Sequence, residues 1–362
     1  MNRRVPDLRA RLFAPARDPS WGAAAALFAA LLISFVAMAA TGRDAVAGFG
    51  HLLSGGFGGP GPLGETALKT SILILTGLSV AVALMVGLFN IGAEGQLLWG
   101  ALAAAMVGRL DVPGVLLLSL LGAALAGGAW GLIAGWLKVQ RGVHEVISTI
   151  LLNWIAIHLI QGWLVPGPLA AAASGAQISV AGTEAIQRAA WLPRLWPGTR
   201  LDLGFPLAIS IAVAVWFLIA RTRRGFEWRA VGAGHDAALA AGIPAGRRVC
   251  EGMALSGALA GIGGALLILG TEHRYPGVFR TGYGFDGIAV ALVGSGSAAG
   301  TAVAALVFGA LRAGATRLQL VGIHPSFAEL TQGLAVLLVA APRIFQPLLA
   351  RLRGRATPLV PP

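Results

Sequence analysis

Long apolar runs separated by short polar segments dominate this sequence of 362 residues, and they limit its fold more than any other feature. Only 12% of the residues are charged, whereas 56% are hydrophobic. A helix needs about 20 mostly apolar residues to cross a bilayer, and in lipid every backbone polar group must find its partner within the protein. The runs therefore predict membrane-spanning α-helices, and they exclude a disordered chain and an ordinary soluble enzyme.

The number and length of these runs predict an all-α, polytopic integral membrane protein with about ten transmembrane helices, some of them short or broken. The run at 284–294 is too short to cross a membrane alone, so it either tilts into 298–300 or forms a half-helix buried in protein. The predicted spans are 21–40, 66–88, 92–108, 113–137, 144–164, 203–220, 249–270, 284–294, 301–320 and 325–341.

The basic residues predict the orientation of these spans. The formal net charge is +12, and most Lys and Arg residues stand at the ends of apolar runs, which is the positive-inside pattern and not that of a nucleic-acid-binding surface. The first run is longer than the apolar core of a signal peptide, about 7–15 residues, so we expect an uncleaved anchor. The predicted organisation is a cytoplasmic tail at 1–20, one transmembrane domain at 21–345 with extracytoplasmic loops at 41–65 and 165–202 and a cytoplasmic loop at 221–248, and a cytoplasmic tail at 346–362.

Glycines at helical spacing predict where helices pack closely. Gly127, Gly131 and Gly135 repeat every four residues, as do Gly257 and Gly261. Small residues at this spacing lie on one face of a helix and let two backbones approach each other in a membrane.

No motif in the sequence supports catalysis, metal binding or ATP binding by this chain. Residues 56–61 match GxGxxG, but Pro60 lies inside the match and no strand precedes it, as a dinucleotide site requires. No P-loop lysine motif occurs, and the six histidines lack the spacing of metal ligands. We therefore predict no catalytic residue, no metal site and no cofactor in this chain.

Two groups of polar residues interrupt predicted spans, where polar side chains are costly. Asn90, Glu94 and Gln96 lie beside a glycine-rich break at 87–96. Asn153 lies deep in the predicted 144–164 span. Broken helices expose backbone groups that can meet a ligand, so these residues are candidates for a substrate pathway. Alternatively, they form a polar hub that only holds the helices together.

Two further segments carry candidate sites. Phe285 could line a pathway for a flat ligand, and Asp286 could cap the start of the short 284–294 helix. In the cytoplasmic loop, Asp236 could cap a short alanine-rich helix that Gly242 ends. Such a helix would be a docking element, and the alternative is a plain solvated loop.

At these four segments the chain resembles the membrane permease subunit of bacterial ABC importers in the branched-chain amino acid, sugar and nucleoside group. Within that group it is most similar to nucleoside or simple-sugar permeases. Two departures from the family pattern are His144, where the family usually has Asn, and Ser295–Ala299, where it has a polar turn with Arg, Asn, His and Pro. The resemblance rests on GLFNIGAEGQ at 87–96, HEVISTILLNWIA at 144–156, RAVGAGHDAALAAGI at 229–243 and GYGFDGIAVALVG at 282–294.

The resemblance implies the permease subunit of an ATP-driven importer in the bacterial inner membrane. It implies a cytosolic ATPase that binds ATP and Mg, a second permease that is identical or a paralogue, and an extracytoplasmic substrate-binding lipoprotein. A rival interpretation from the residues alone is a standalone channel or an ion-coupled carrier for small polar solutes. The expected substrate-pathway residues are Asn90, Glu94, Gln96, Asn153, Phe285 and Asp286, and the expected ATPase-coupling residues are Arg229, Asp236, Ala237, Ala238 and Gly242.

Overall fold

A computed structural model describes residues 19–42, 44–171, 182–279, 281–320, 324 and 326–340, with side chains from residue 25 onward. Within these ranges the chain is helical and contains no β-strand, only isolated bridges. Nearly all of the predicted N-terminal tail at 1–20 and the whole C-terminal tail at 346–362 lie outside the described residues, as does the middle of the predicted 165–202 loop.

The helices are numbered here in chain order. The helices α6 and α10 each continue into a turn of π-helix, at Ile160–Leu164 and Ile268–Glu272. The α-helices in the described part of the chain are α1 Pro19–Ala40, α2 Ala45–Phe57, α3 Pro60–Met85, α4 Ala93–Val107, α5 Val115–Arg141, α6 Glu145–Leu159, α7 Gly204–Arg221, α8 Arg223–Ala233, α9 His235–Ala240, α10 Ala245–Leu267, α11 Tyr283–Val293, α12 Ala298–Leu320 and α13 Ser326–Ala340.

Each of the ten predicted spans coincides with one of these helices, which confirms the all-helical membrane fold. In the described part of the chain, six helices are long and apolar enough to cross a membrane, namely α3, α5, α6, α7, α10 and α12. The apolar helices α11 and α13 are shorter, as is the part of α1 that is described with side chains, Ala25–Ala40. The helix α4 has 15 residues and is buried for most of its length.

The short helix α11 is a half-helix and does not continue into the next element. It ends at Val293, and a turn follows in which Ser295 and Gly296 have φ of 54° and 67°. These left-handed conformations are incompatible with a continuous α-helix. With eleven residues, α11 rises only about 16 Å at 1.5 Å per residue, half of what a bilayer core requires.

The helices α3 and α10 form the centre of the bundle. Of their most apolar stretches, 83% and 78% is buried within the protein, whereas α5, α6 and α7 bury only 28% of theirs. The outer faces of α5, α6 and α7 carry exposed Leu, Ile, Val and Trp side chains, as expected for surfaces that contact lipid.

The predicted glycine contacts are present where α5 crosses α10. A Cβ added to Gly257 would lie 2.2 Å from the carbonyl oxygen of Gly127, and one added to Gly131 would lie 2.5 Å from that of Met253. Real side chains do not approach backbone atoms so closely, so only glycine permits this crossing. The two backbones are therefore in direct contact, as the glycine spacing predicts.

Two segments that the sequence predicts as loops contain helices. Residues 41–65 hold α2 and the first turn of α3, and α2 packs on α12, where a Cβ on Gly55 would lie 2.8 Å from Gly314 Cα. Residues 221–248 hold α8, α9 and the start of α10. The helix α9 is the short helix that was one of two alternatives for the 221–248 segment, whereas α2 and α8 are additional to the prediction.

Candidate functional site

The chain between α3 and α4 crosses the interior of the bundle without helical structure at 86–92. Asn90, which is fully buried, fixes this break. Its amide nitrogen donates to the side-chain oxygens of Gln96, at 2.9 Å, and of Ser256, at 2.8 Å. Its side-chain oxygen accepts from the backbone N–H of Gly92 at 2.8 Å. The break is therefore tied to both α4 and α10.

Asn153 on α6 holds the same break from another side. Its side-chain oxygen accepts from the backbone N–H of Gly95 at 2.7 Å, and its nitrogen donates to the carbonyl oxygen of Ile91 at 2.6 Å. Asn90, Gln96 and Asn153 are thus buried and hydrogen-bonded within the protein. Contact of these three side chains with a substrate stays a prediction, because their observed partners are protein groups.

Glu94 connects the first turn of α4 to the start of α11. Its buried carboxylate accepts from the backbone N–H groups of Gly282, at 3.0 Å, and Gly284, at 2.7 Å, and from the hydroxyl of Thr281 at 2.7 Å. A carboxylate at this position accepts hydrogen bonds from the free N–H groups at the start of α11. Its negative charge is also stabilised by the positive end of the helix dipole. The prediction that Asp286 caps α11 is wrong, because the N-cap residue is Gly282 and Asp286 lies within the first turn, where its own N–H bonds to the carbonyl of Gly282 at 3.0 Å.

An open cavity of about 1060 Å³ lies between α3, α11, α12 and α13, at the end of the bundle that carries residues 182–202. Of the six predicted pathway residues, Phe285 and Asp286 line this cavity and the other four do not. Its wall also contains polar side chains that the sequence analysis did not single out: Glu65, Lys69, Arg312, Thr316, Glu329 and Gln332.

Two basic residues hold the polar wall of this cavity together. The Lys69 ammonium lies 3.2 Å from the carboxylate of Glu65 and donates to the backbone oxygen of Arg312 at 3.1 Å. The Arg312 Nε lies 3.2 Å from Asp286 Oδ2. Lys69 and Arg312 interrupt apolar runs, and charged residues inside spans commonly mark functional sites, so this signal in the sequence could have identified them.

At the opposite end of the bundle, α9 confirms the predicted short helix but not its predicted cap. Its N-cap residue is Gly234, and the exposed Asp236 lies inside the first turn. The negative charge of Asp236 still interacts favourably with the positive end of the helix dipole. The predicted end is correct, because Gly242 has φ of 78° and the N–H of Ile243 bonds to the carbonyl of Ala238 at 3.0 Å. This is the glycine-terminated geometry of a Schellman motif.

The other predicted coupling residues fix α8 and α9 to the membrane helices. Ala238 is buried with Trp228 in an apolar cluster that includes residues of α3 and α10. Ala237 lines a groove of about 490 Å³ between α8 and α9. Arg229 donates to the carbonyl oxygen of Ile219 near the end of α7. The helices α8 and α9 are therefore packed against the membrane helices.

A buried glutamate in α8 also links this helix to α10. Glu227 accepts from Arg223 at 2.8 Å and from Arg248 of α10 at 2.5 Å, and Arg248 also contacts Glu251 at 2.6 Å. Burial raises the pKa of Glu227, but hydrogen bonds and positive charge from the two arginines outweigh it, so the pKa lies below its ordinary value. The network joins α8 to the central helix α10.

Comparison with known proteins identifies the family of this chain. Residues 63–341 match the family model described as branched-chain amino acid transport system / permease component. The chain belongs to this permease family. The resemblance inferred from the four sequence segments is thereby confirmed.

Relatives of this permease include nucleoside and sugar permeases. It is 38% identical to the guanosine ABC transporter permease protein of Bacillus subtilis, over 87% of this chain and 91% of the relative. It is 34% identical to a glucose ABC transporter permease of Haloferax volcanii, with 88% and 87% covered, and 32% identical to a nucleoside ABC transporter permease of Lactococcus lactis, with 89% and 91% covered. No solved structure gives a significant match.

Proposed function

We propose that this permease is the membrane subunit of an ATP-driven importer that moves nucleosides, or alternatively simple sugars, into the cell by alternating access. The observation that carries the substrate class is its 38% identity with a guanosine permease across almost the whole chain. The mixed apolar and polar cavity, with a half-exposed Phe285 beside paired charges, suits a neutral polar solute with a flat apolar part.

The charge pattern supports an orientation for this transport. The positive-inside rule places the arginine-rich 221–248 segment in the cytoplasm, together with both termini. The cavity then opens on the extracytoplasmic side of the bacterial inner membrane, where a substrate-binding lipoprotein would deliver its cargo. A second permease, identical or a paralogue, would complete the transport path.

The energy source in this proposal is a separate cytosolic ATPase that binds ATP and Mg. Its docking surface on the permease is formed by α8, α9 and the groove between them, where Phe226 and Leu239 expose apolar side chains. Because α8 is tied to α10 and lies against the α3–α4 break, movement of the docked ATPase would move the helices that surround the cavity.

Uptake measurements in intact cells test this function. Cells with and without the gene are supplied with tritiated guanosine, uridine, ribose or leucine, before and after depletion of ATP. We expect loss of ATP-dependent nucleoside or pentose uptake in cells that lack the gene. Loss of leucine uptake alone would overturn the substrate class, and uptake that persists without ATP would favour a channel or an ion-coupled carrier.

A matched pair of glycine variants tests ATPase docking. Gly242 and Gly198 both have φ of 78° and open space around the Cα, so valine introduces the same backbone strain at either position. We expect Gly242→Val to weaken co-purification of the ATPase and to reduce uptake, whereas Gly198→Val, at the other end of the bundle, leaves ATPase binding unchanged. Equal behaviour of the two variants would contradict docking on α9.

A further inference from the structure

Asp286 and Arg312 form an ion pair in the wall of the cavity, with Nε and Oδ2 separated by 3.2 Å. Each side chain is about one quarter exposed, 24% for Asp286 and 26% for Arg312. The pair joins α11 to α12, and it brings hydrogen-bond acceptors and donors side by side at the cavity surface.

The remaining contacts hold this guanidinium in a fixed plane. Arg312 Nη2 donates to the backbone oxygen of Thr281 at 2.6 Å, and the guanidinium carbon lies 3.9 Å from the centre of the Tyr283 ring. Stacking on an aromatic face and a hydrogen bond together limit rotation of the group. The direction in which its other donors point is therefore set before a ligand arrives.

The pair keeps unused hydrogen-bonding capacity. Asp286 Oδ2 is buried and faces Arg312 Nε, whereas the accessible Oδ1 has no hydrogen-bond partner among the described residues. The observed contacts of the guanidinium use Nε and Nη2, which leaves further N–H donors on the same group. A hydroxyl group complements both side chains, because it donates to a carboxylate and accepts from a guanidinium.

The charges near this pair argue against an anionic ligand. Lys69 lies 3.2 Å from Glu65, Arg200 lies 3.4 Å from the same carboxylate, and Arg312 is paired with Asp286. A free carboxylate or phosphate would have to compete with these carboxylates for each cation. A neutral polyhydroxy ligand binds without breaking any of the pairs.

We propose that Asp286 and Arg312 recognise two neighbouring hydroxyl groups, the vicinal diol of a ribose ring, with one hydroxyl donating to Asp286 and the other accepting from Arg312. This inference rests on the proposed function and names the part of the substrate that the cavity reads. The exposed ring of Phe285, one residue before Asp286, provides an apolar surface for the face of the base or sugar.

Binding to the purified full-length permease, together with its partner permease and ATPase in lipid nanodiscs, tests the inference without the lipoprotein, whose own selectivity would otherwise contribute. The probes are uridine, 2′-deoxyuridine, 3′-deoxyuridine and uracil at millimolar concentration, with thermal stabilisation as the readout. We expect uridine to bind about tenfold more tightly than either deoxynucleoside, as loss of one hydrogen bond to a charged group predicts.

Substitutions locate the effect. Asp286→Asn keeps the shape of the side chain, and it is expected to abolish the preference for uridine over the deoxynucleoside that lacks the hydroxyl bound by Asp286. Arg312→Lys, which keeps the charge, is expected to reduce the preference for uridine over the other deoxynucleoside. Glu184→Gln, which removes an exposed ion pair with Arg109 outside the cavity, is the control and keeps the preference.

Each outcome decides the matter. Equal binding of uridine and its deoxy analogues by the wild-type permease, or no binding of any probe, would overturn diol recognition. An unchanged preference in Asp286→Asn would also overturn it. The cellular uptake assay is separate, so ATP-dependent nucleoside uptake combined with a negative binding result rejects the diol site and leaves the importer function standing. Loss of the importer function would be seen in the uptake assay alone.

Discussion

The carboxylate of Glu94 accepts a hydrogen bond of 2.7 Å from the backbone N–H of Gly284, which joins the first turns of the two short helices α4 and α11. The approach is so close that a Cβ on Gly284 would lie 2.2 Å from the backbone nitrogen of Glu94. Since α11 carries Asp286 and Phe285 into the cavity, Glu94 sets the position of the cavity wall although it does not line the cavity itself.

We predict that Glu94→Gln destabilises the permease by about 2 kcal/mol, because charged hydrogen bonds to three donors become weaker neutral ones. The measurement is thermal unfolding of the purified protein, combined with uptake in cells. The control is Glu184→Gln, which removes an exposed ion pair with Arg109 and should change stability by less than about 1 kcal/mol. Similar melting temperatures for the two variants would contradict the capping role.

The other end of the α3–α4 break rests against α8. A Cβ on Gly232 would lie 2.1 Å from the carbonyl oxygen of Met85 and 3.1 Å from the nitrogen of Gly87. A continuous set of contacts thus runs from α8 through the break to Glu94 and the cavity. If the ATPase docks on α8 and α9 as proposed, this set is a physical route by which its movement would reach the cavity wall.

We predict that Gly232→Ala reduces uptake by about tenfold, because the added methyl group pushes α8 away from the break by overpacking. Gly234→Ala is the control, since a Cβ there would meet nothing closer than 3.6 Å and the backbone is extended. Uptake and co-purified ATPase are measured for both variants. If Gly232→Ala loses the ATPase altogether, the residue acts in docking and not in transmission.

Glu227 contributes to the pH dependence of the protein's stability. Its pKa in the folded protein is lowered from an ordinary value of 4.5, since the hydrogen bonds and charges of Arg223 and Arg248 outweigh the opposing effect of burial. A group with a lowered pKa stabilises the fold above its unfolded-state pKa, and this contribution is lost as the pH falls through the lower folded-state value.

We therefore predict that the melting temperature of the wild-type permease falls on acidification below about pH 5, and that Glu227→Gln flattens part of this fall. Thermal unfolding in detergent between pH 7 and pH 3 measures it. Glu329→Gln, a change at an exposed glutamate of α13, should keep the wild-type profile. Identical pH profiles for all three proteins would show that Glu227 does not contribute to the loss of stability in acid.

The membrane spans could be predicted because a run of about 20 apolar residues is a local signal. The helix α2 could not, because four of its residues are glycine, which has low helix propensity, and the helix depends on packing against Gly314 of α12. The half-helix α11 was one of two alternatives, and only the turn at Ser295 distinguishes them.

The candidate site was predicted in part. Phe285 and Asp286 lie in the cavity wall, and their contact with a substrate stays a prediction. Lys69 and Arg312 line the same cavity but were not singled out, although each interrupts an apolar run. The direction of a side chain depends on packing between helices that are far apart in sequence, such as the 187 residues that separate Glu94 from Thr281. Sequence alone therefore identified polar clusters without showing which of them face a cavity.

The crossing of α5 and α10 supports a last prediction. Alanine normally stabilises a helix relative to glycine by about 1 kcal/mol, but at Gly257 the added Cβ would lie 2.2 Å from the carbonyl oxygen of Gly127. Both backbones belong to long helices that cannot move independently, so the steric cost exceeds the gain in propensity. We predict that Gly257→Ala lowers stability by about 2 kcal/mol and that Gly162→Ala, at an exposed position with open space, does not. Thermal unfolding of the two variants measures the difference, and an unchanged melting temperature for Gly257→Ala would show that the helices can separate at no cost.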